Sequence, residues 1–238
     1  MAETLRVGIA GLGTVGAETF RILSERKDIL LSRSGKKIEV VAVSSQDRHI
    51  DRGIDLSGVE WVDDARKLCL MPNVDVVVEL IGGAEGIAKD IAEATVTNSK
   101  YFVTANKALI AHYGDEIGKN AEKNDVSIGF EAAVAGGIPI IKTLREGLGG
   151  NQFTRVYGIL NGTCNYILSE MRETGRDFKD VLTDAQALGY AEADPSFDID
   201  GIDAAHKLSI LASIVFQTKI NFEAIHTCLL YTSDAADE

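Results

Sequence analysis

Short apolar runs alternate with longer segments in the first half of the chain, and in those segments apolar residues recur every three to four positions. The short runs predict buried strands, and they lie at residues 5–10, 38–44, 74–80, 101–104 and 127–130. The intervening segments, such as residues 86–98, predict helices. Strands that alternate with helices predict an α/β fold, a doubly wound parallel Rossmann sheet over residues 1–130.

The second half has a different pattern and predicts a second domain. Residues 153–160 predict one further strand, and helices are predicted over residues 140–147, from residue 161, across residues 181–188 and from residue 202. Asn161 is a candidate N-cap for the second of these helices, because its side chain can accept a backbone hydrogen bond. Gly189 is a candidate C-cap for the third.

Composition and charge narrow the possible partners. The chain has 238 residues and a formal net charge of −12, which argues against a nucleic-acid backbone as partner. It holds no apolar run long enough to cross a membrane. Its three cysteines lack disulfide or metal-site spacing, which favours a reducing compartment. The first strand begins too early to leave room for a signal peptide, so we expect a cytoplasmic protein.

A glycine-rich turn follows the first strand and opens a helix. Strand, Gly-x-Gly-x-x-Gly and helix form the context of a dinucleotide-binding fingerprint, in which the helix N-terminus receives the phosphates. A plain structural turn is the alternative. The candidate cofactor-binding residues here are Gly11, Leu12, Gly13, Thr14, Val15 and Gly16.

The residues after the second strand bear on the choice between NAD and NADP. An acidic residue there would favour NAD, whereas this chain has Ser44 and Ser45, with Arg48 shortly after. Small hydroxyls and an arginine suit a 2′-phosphate, so NADP is favoured over NAD. A solvated Arg48 with no role in binding is the alternative.

Further candidates lie where the third and fourth strands end, at the edge of a parallel sheet where ligands bind. Ile81, Gly82 and Gly83 follow the third strand, and Thr104 to Lys107 follows the fourth. Lys107 is either a surface lysine at a helix start or a lysine that faces nicotinamide and substrate.

Residues 189–207 concentrate the candidate chemistry. Five carboxylates lie close together there, those of Glu192, Asp194, Asp198, Asp200 and Asp203. Lys207 follows Asp203 at i+4, so a helix from Ile202 would place both on one face. An ordinary surface salt bridge is the alternative, but the surrounding helix is apolar and burial of charge is costly.

This segment resembles the signature of homoserine dehydrogenases, and the resemblance extends from about Leu5 to His226. The matching positions are Ala185, Gly189, Tyr190, Ala191, Asp194, Pro195, Asp198, Gly201, Asp203 and Lys207. Thr104 to Lys107 also matches a Thr-Ala-Asn-Lys run of that family. The resemblance implies reversible NAD(P)H-dependent reduction of L-aspartate 4-semialdehyde to L-homoserine, in threonine, methionine and isoleucine biosynthesis.

The resemblance also implies roles for individual residues. Lys207 is the proton donor and acceptor, Asp203 orients the substrate hydroxyl or a water, and Lys107 assists. Glu192 and Asp198 join Asp203 in binding substrate, and Gly189 contacts the cofactor. It further implies a homodimer and a monovalent cation, Na⁺, on Glu131, Val134, Gly136 and Ile138, for which a loop without an ion is the alternative. Cys164 lies near this region, and packing is favoured over a nucleophile because no activating base is identifiable nearby.

Homoserine dehydrogenases continue well past the end of this chain. The resemblance therefore implies a NAD(P)-binding domain over residues 1–130 and a partial α+β catalytic and dimerisation domain over residues 131–226. Residues 227–238 are expected to be an unrelated, non-native tail. Two other functions stay open: a non-catalytic NADP-binding fragment, and a related Rossmann oxidoreductase that acts on another amino-acid aldehyde or a keto acid.

Overall fold

The computed structural model describes residues 3–230, which belong to two compact units that divide between Thr143 and Leu144. The division lies later in the chain than the expected domain boundary at residue 130. Most of the expected tail, residues 231–238, lies outside the described residues. Within the described part, no helix is both long and apolar enough to cross a membrane.

The first unit contains a six-stranded parallel sheet in the order β3-β2-β1-β4-β5-β6. This is the doubly wound order of dinucleotide-binding sheets, in which the strand order reverses between β1 and β4. The prediction of a doubly wound parallel sheet is therefore confirmed. The strands are β1 (Thr4–Ala10), β2 (Lys37–Ser44), β3 (Glu60–Trp61), β4 (Val76–Glu79), β5 (Tyr101–Thr104) and β6 (Ile128–Gly129).

Helices cover both faces of this sheet. On one face Val77 and Phe102 pack with Ile91 and Leu109 in a buried cluster. On the other, Ile9 and neighbouring strand residues pack against Phe20. The helices of the unit are α1 (Thr14–Glu25), α2 (Lys27–Ser34), α3 (Ile87–Thr97), α4 (Lys107–Lys123), α5 (Glu131–Val134) and α6 (Ile140–Lys142), with a 3₁₀ helix at Ala65–Leu70.

The second unit is helical in its described residues. Its helices α7 and α8 pack through Ile167, Val181 and Ala185, and Ala191 completes that core. Its elements are α7 (Gly162–Thr174), α8 (Phe178–Ala187), α9 (Ser196–Ile199), α10 (Ile202–Phe216) and a 3₁₀ helix at Phe222–Ala224. A π-helical turn at Thr143–Gly147 spans the division between the units, so the helix expected over residues 140–147 is α6 followed by this turn.

The strand predicted at residues 153–160 is not formed, so that prediction is wrong. A strand needs a hydrogen-bonding neighbour, and residues 144–230 contain no other strand. The segment runs without regular structure, and residues Tyr157 and Ile159 are 87% and 77% exposed. Its apolar pattern is that of a strand, but the pattern alone cannot supply the partner.

Candidate active site

The glycine-rich turn joins β1 to α1 as expected. Gly11 has a φ of +98°, and its N–H donates to the carbonyl of Ser44 at 2.8 Å. A Cβ on Gly16 would overlap the carbonyl oxygen of Gly11, whereas a Cβ on Gly13 would meet no atom within 4 Å. Gly16 therefore allows the turn to close, while Gly13 leaves space above the turn into which a ligand can approach.

A cleft of about 660 Å³ lies at the carboxyl ends of β1, β2 and β4, a size typical of small-molecule sites. The expected cofactor residues Gly11, Leu12, Gly13, Thr14, Ser44 and Ile81 all line it, with Ser45, Asp47 and Arg52. The cleft contains the point between β1 and β4 where the strand order reverses, the usual position of a dinucleotide. The residues present therefore fit a nicotinamide dinucleotide.

Arg52 is the arginine that lines this cleft, and the sequence analysis did not identify it. Its Nε donates to the carbonyl of Leu12 at 2.9 Å, and its Nη2 donates to Ser45 Oγ at 3.2 Å and to the carbonyl of Asp47 at 2.6 Å. Arg48 is not among the residues that line the cleft. Both arginines lie over the Trp61 ring, with Cζ 5.9 Å from the centroid for Arg48 and 5.7 Å for Arg52. Arg52 thus fixes a cation beside the glycine-rich turn. Its only sequence signal is a second arginine four residues after Arg48.

A buried carboxylate organises the ends of β4 and β5. Glu79 is fully buried and accepts hydrogen bonds from the backbone N–H groups of Ile81 and Gly82, at 2.7 and 3.1 Å, and from Thr104 Oγ1 at 2.6 Å. Three expected cofactor residues are therefore held by one that was missed. The available signal was a charged residue that ends an otherwise apolar strand.

Asn106 extends this network to the start of α4. Its Nδ2 donates to the carbonyl of Gly83 at 2.6 Å, and its Oδ1 accepts from the N–H of Leu109 at 3.0 Å as the helix N-cap. Its own N–H donates to Thr104 Oγ1 at 2.9 Å. Lys107 is the first residue of α4 and is half-buried. The loop of residues 81–83 and the start of α4 are thus linked at the same edge of the sheet.

In the loop expected to bind a cation, the Glu131 carboxylate accepts backbone hydrogen bonds. Glu131 accepts hydrogen bonds from the N–H groups of Ile141 and Lys142, at 2.7 and 2.9 Å, and so caps α6. The carbonyl of Ile138 accepts from the N–H of Ile140 at 2.8 Å. A sodium ion on Glu131, Val134, Gly136 and Ile138 therefore stays a prediction.

In the second unit, Asp198, Asp203 and Lys207 come together and form what we call the signature cluster. Lys207 Nζ donates to Asp203 Oδ2 at 2.7 Å and to the carbonyl of Leu160 at 2.8 Å. The side chains of Lys207 and Asp203 are 19% and 6% exposed, so this pair is largely buried and is not a surface salt bridge. A buried ion pair on a helix is costly to form, which points to a functional reason for it.

Two other carboxylates of the acidic segment, those of Glu192 and Asp194, are not part of this cluster. The side chain of Glu192 is exposed, and Asp194 accepts hydrogen bonds from the hydroxyl and the N–H of Ser196. These bonds lower the pKa of Asp194, the hydroxyl first. Gly189 follows α8 with a φ of +77°, as its place beyond a helix C-terminus requires.

Cys164 lies beside the signature cluster as an inert thiol. Its Sγ donates to the carbonyl of Asp198 at 3.2 Å. Burial first, and then the charges of Asp198 and Asp203, raise the pKa of the thiol to about 11. The reactive thiolate is therefore scarce near neutral pH, which supports packing over nucleophilic chemistry.

Known proteins match most of the chain. A family model described as the NAD-binding domain of homoserine dehydrogenase matches residues 11–131, and one described as homoserine dehydrogenase matches residues 139–237. The second match runs past residue 227, where the unrelated tail was expected to begin, so the nature of residues 227–238 stays a prediction.

Individual relatives agree with these matches. Homoserine dehydrogenases of Pseudomonas aeruginosa and Neisseria gonorrhoeae are each 50% identical to the chain over 94% of its length, which is 51% of theirs. A crystal structure of a homoserine dehydrogenase from Thiobacillus denitrificans superposes with a TM-score of 0.89 at 47% identity, covering 95% of this chain and 52% of that one. A hyperthermophilic archaeal homoserine dehydrogenase in complex with NADPH superposes with a TM-score of 0.78 at 27% identity, covering 94% and 75%. The chain thus spans about half the length of the curated relatives it matches.

Proposed function

The chain belongs to the homoserine dehydrogenase family, and from this we propose that it carries out the reversible reduction of L-aspartate 4-semialdehyde to L-homoserine. The buried pair of Asp203 and Lys207 carries the proposal, because an ammonium held at 2.7 Å from a carboxylate is oriented for proton transfer. This step belongs to the biosynthesis of threonine, methionine and isoleucine.

The residues of the chain supply the proton and the charge stabilisation. Bound in the cleft, a reduced nicotinamide cofactor supplies the hydride that adds to the aldehyde carbon. Lys207 Nζ donates a proton to the aldehyde oxygen as negative charge builds there, and in the reverse direction it accepts the hydroxyl proton. Asp203 holds Lys207 and orients the substrate hydroxyl, Asp198 and Glu192 bind substrate, and Lys107 stabilises the developing charge.

Three further properties are part of the proposal. Oxygen donors suit a hard monovalent cation such as Na⁺ on the loop of residues 131–138. The functional protein is a homodimer, as the family resemblance implies. Cys69, Cys164 and Cys228 are free thiols, which fits a reducing compartment such as the cytoplasm.

The direct test follows loss of NADPH absorbance when the 238-residue chain is mixed with L-aspartate 4-semialdehyde. Turnover is expected with this aldehyde and not with other amino-acid aldehydes at the same concentration. The melting temperature is measured in parallel with and without NADPH. A cofactor-dependent rise without turnover would overturn the catalytic proposal for this chain and support a dinucleotide-binding fragment. Preferred turnover of another aldehyde would overturn the substrate.

We expect Arg52, and not Arg48, to read the 2′-phosphate of NADP. Loss of a charged hydrogen bond to a phosphate costs about 1.5–3 kcal/mol, so Arg52→Gln is expected to weaken NADPH binding by roughly 10- to 100-fold. Arg48→Gln is the matched control and is expected to change it little. Isothermal titration calorimetry with NADPH and with NADH measures both variants.

The ratio of the two affinities separates recognition from structural support. Because Arg52 also holds the Leu12 carbonyl, a purely structural role would weaken NADPH and NADH binding equally. If Arg48→Gln weakened the binding of NADPH but not that of NADH, Arg48 and not Arg52 would be the residue that contacts the 2′-phosphate. Tighter binding of NADH by the unaltered chain would make Asp47, which also lines the cleft, the residue that reads a free ribose hydroxyl.

A further inference from the structure

Asn161 uses its entire side chain to connect three elements of the second unit. Its Oδ1 accepts from the N–H of Cys164 at 2.8 Å as the N-cap of α7. Its Nδ2 donates to Asp198 Oδ1 at 2.7 Å, at α9, and to Asp203 Oδ2 at 2.8 Å, on α10. A flipped amide would set its oxygen against both carboxylates and its NH₂ against a backbone N–H, so the network allows one orientation only.

This amide meets the same oxygen as the ammonium of the cluster. Asp203 Oδ2 accepts both Asn161 Nδ2 and Lys207 Nζ. The preceding residue, Leu160, gives its carbonyl to Lys207 Nζ at 2.8 Å. Two consecutive residues therefore fix both members of the ion pair. Asn161 also brings the Asp198 carboxylate beside that of Asp203 without adding charge, although only one ammonium is present in the cluster to balance the two.

We propose that Asn161 is the positioning residue of the signature cluster, whose amide holds Asp198 and Asp203 in the arrangement that orients the Lys207 ammonium. We call the two hydrogen bonds from the Asn161 amide to Asp198 and Asp203 the bridge. The importance of Asn161 for turnover rests on the function proposed above, but the bridge does not. A role as helix cap only is the competing explanation, and the chemistry of N-caps allows the two to be separated.

Two substitutions keep the cap and change the bridge. Asp and Ser cap helices about as well as Asn does, so a residue that only capped α7 would tolerate both. Asn161→Asp keeps an acceptor for the Cys164 N–H but replaces both side-chain donors with a carboxylate that repels Asp198 and Asp203. Asn161→Ser also keeps the acceptor, but it is too short to reach both carboxylates and adds no charge.

The first arm measures melting temperature against pH for the 238-residue chain and both variants. Among the described residues, the charged groups that face position 161 are Asp198 on α9 and Asp203 and Lys207 on α10. The Cys164 thiol on α7 stays protonated through the range, and the segment after α8 meets α7 through the uncharged Tyr190 carbonyl. In Asn161→Asp the introduced carboxylate holds its proton more tightly in the folded than in the unfolded chain. Stability is therefore lost as pH rises above about 4.

Asn161→Asp is accordingly expected to melt at least about 4 °C below the unaltered chain near neutral pH, with the difference shrinking toward pH 4. Asn161→Ser is expected to show a smaller deficit that does not grow with pH. Equal melting temperatures for Asn161→Asp and the unaltered chain across the range would overturn the bridge and leave Asn161 as a cap. This arm needs no turnover, so it decides the bridge even if the proposed reaction is not observed.

The second arm measures kcat, KM and NADPH affinity. Misplacement of a catalytic group by about 1 Å costs roughly 10²-fold in rate, so both variants are expected to lose activity to that extent in kcat. NADPH affinity is expected to be unchanged, because the dinucleotide cleft belongs to the other unit. Unchanged kcat in both variants, beside a pH-dependent melting deficit in Asn161→Asp, would overturn the positioning role while keeping the bridge.

Discussion

Replacement of Lys207 by alanine is expected to lower turnover by roughly 10²- to 10⁴-fold, the usual contribution of a general acid–base residue. The ammonium, which we propose as the proton donor, is held against Asp203 Oδ2 and the Leu160 carbonyl, and alanine provides no proton. Steady-state rates of NADPH oxidation with L-aspartate 4-semialdehyde measure the loss. Lys179→Ala is the matched control, because Lys179 is an exposed lysine on a helix of the same unit.

Loss of stability must be separated from loss of chemistry in this experiment. Removal of one partner of a buried ion pair leaves the other charge uncompensated and costs about 3–5 kcal/mol. The double variant Lys207→Met with Asp203→Asn removes both charges at similar volume, and it is expected to recover most of the melting temperature without recovering turnover. Near-normal turnover in folded Lys207→Ala would show that Lys207 is not the proton donor.

Gly16→Ala is expected to disrupt the dinucleotide cleft and lower the melting temperature by about 5 °C or more, as overpacking against backbone costs about 1–3 kcal/mol. The new Cβ would overlap the Gly11 carbonyl oxygen. That oxygen is backbone, so no side-chain rotation relieves the contact. Thermal unfolding and NADPH titration of the same sample measure both effects, and both are expected to be impaired.

Gly13→Ala makes the same chemical change three residues earlier and serves as the control. The new Cβ has no atom within 4 Å, and the φ of −69° at Gly13 suits alanine. The melting temperature is expected to stay close to that of the unaltered chain. NADPH affinity is expected to fall, because the second glycine of this motif lets backbone approach the pyrophosphate. Two variants with equal melting temperatures would show that the turn accommodates a side chain at Gly16.

The sheet could be predicted because local sequence carries its main signals. Apolar runs such as residues 38–44 and 101–104 identify strands without knowledge of their neighbours. β3, with the two residues Glu60 and Trp61, is too short to show any periodicity and was missed. Residues 153–160 show the opposite case, since they carry a strand pattern but lack a pairing strand among the described residues.

In the candidate site, too, local contacts could be predicted from the sequence and distant contacts could not. Lys207 and Asp203 were found together because they are one helical turn apart, and their contact is local. Glu79, Arg52 and Asn161 each also contact a residue at least 25 positions away, and local sequence does not indicate those contacts. Asn161 was identified only as a cap, which is its single local interaction.

The unpaired segment at residues 153–160 has a consequence for the kinetics of solvent exchange. Amide hydrogens exchange slowly when they are held in regular secondary structure and rapidly when they are not. The amides of this segment belong to no helix or strand, whereas those of the adjoining α7 are held in helical hydrogen bonds. Deuterium uptake should therefore change from fast to slow within a few residues of Asn161, which places the residue that bridges Asp198 and Asp203 at the border between labile and protected backbone.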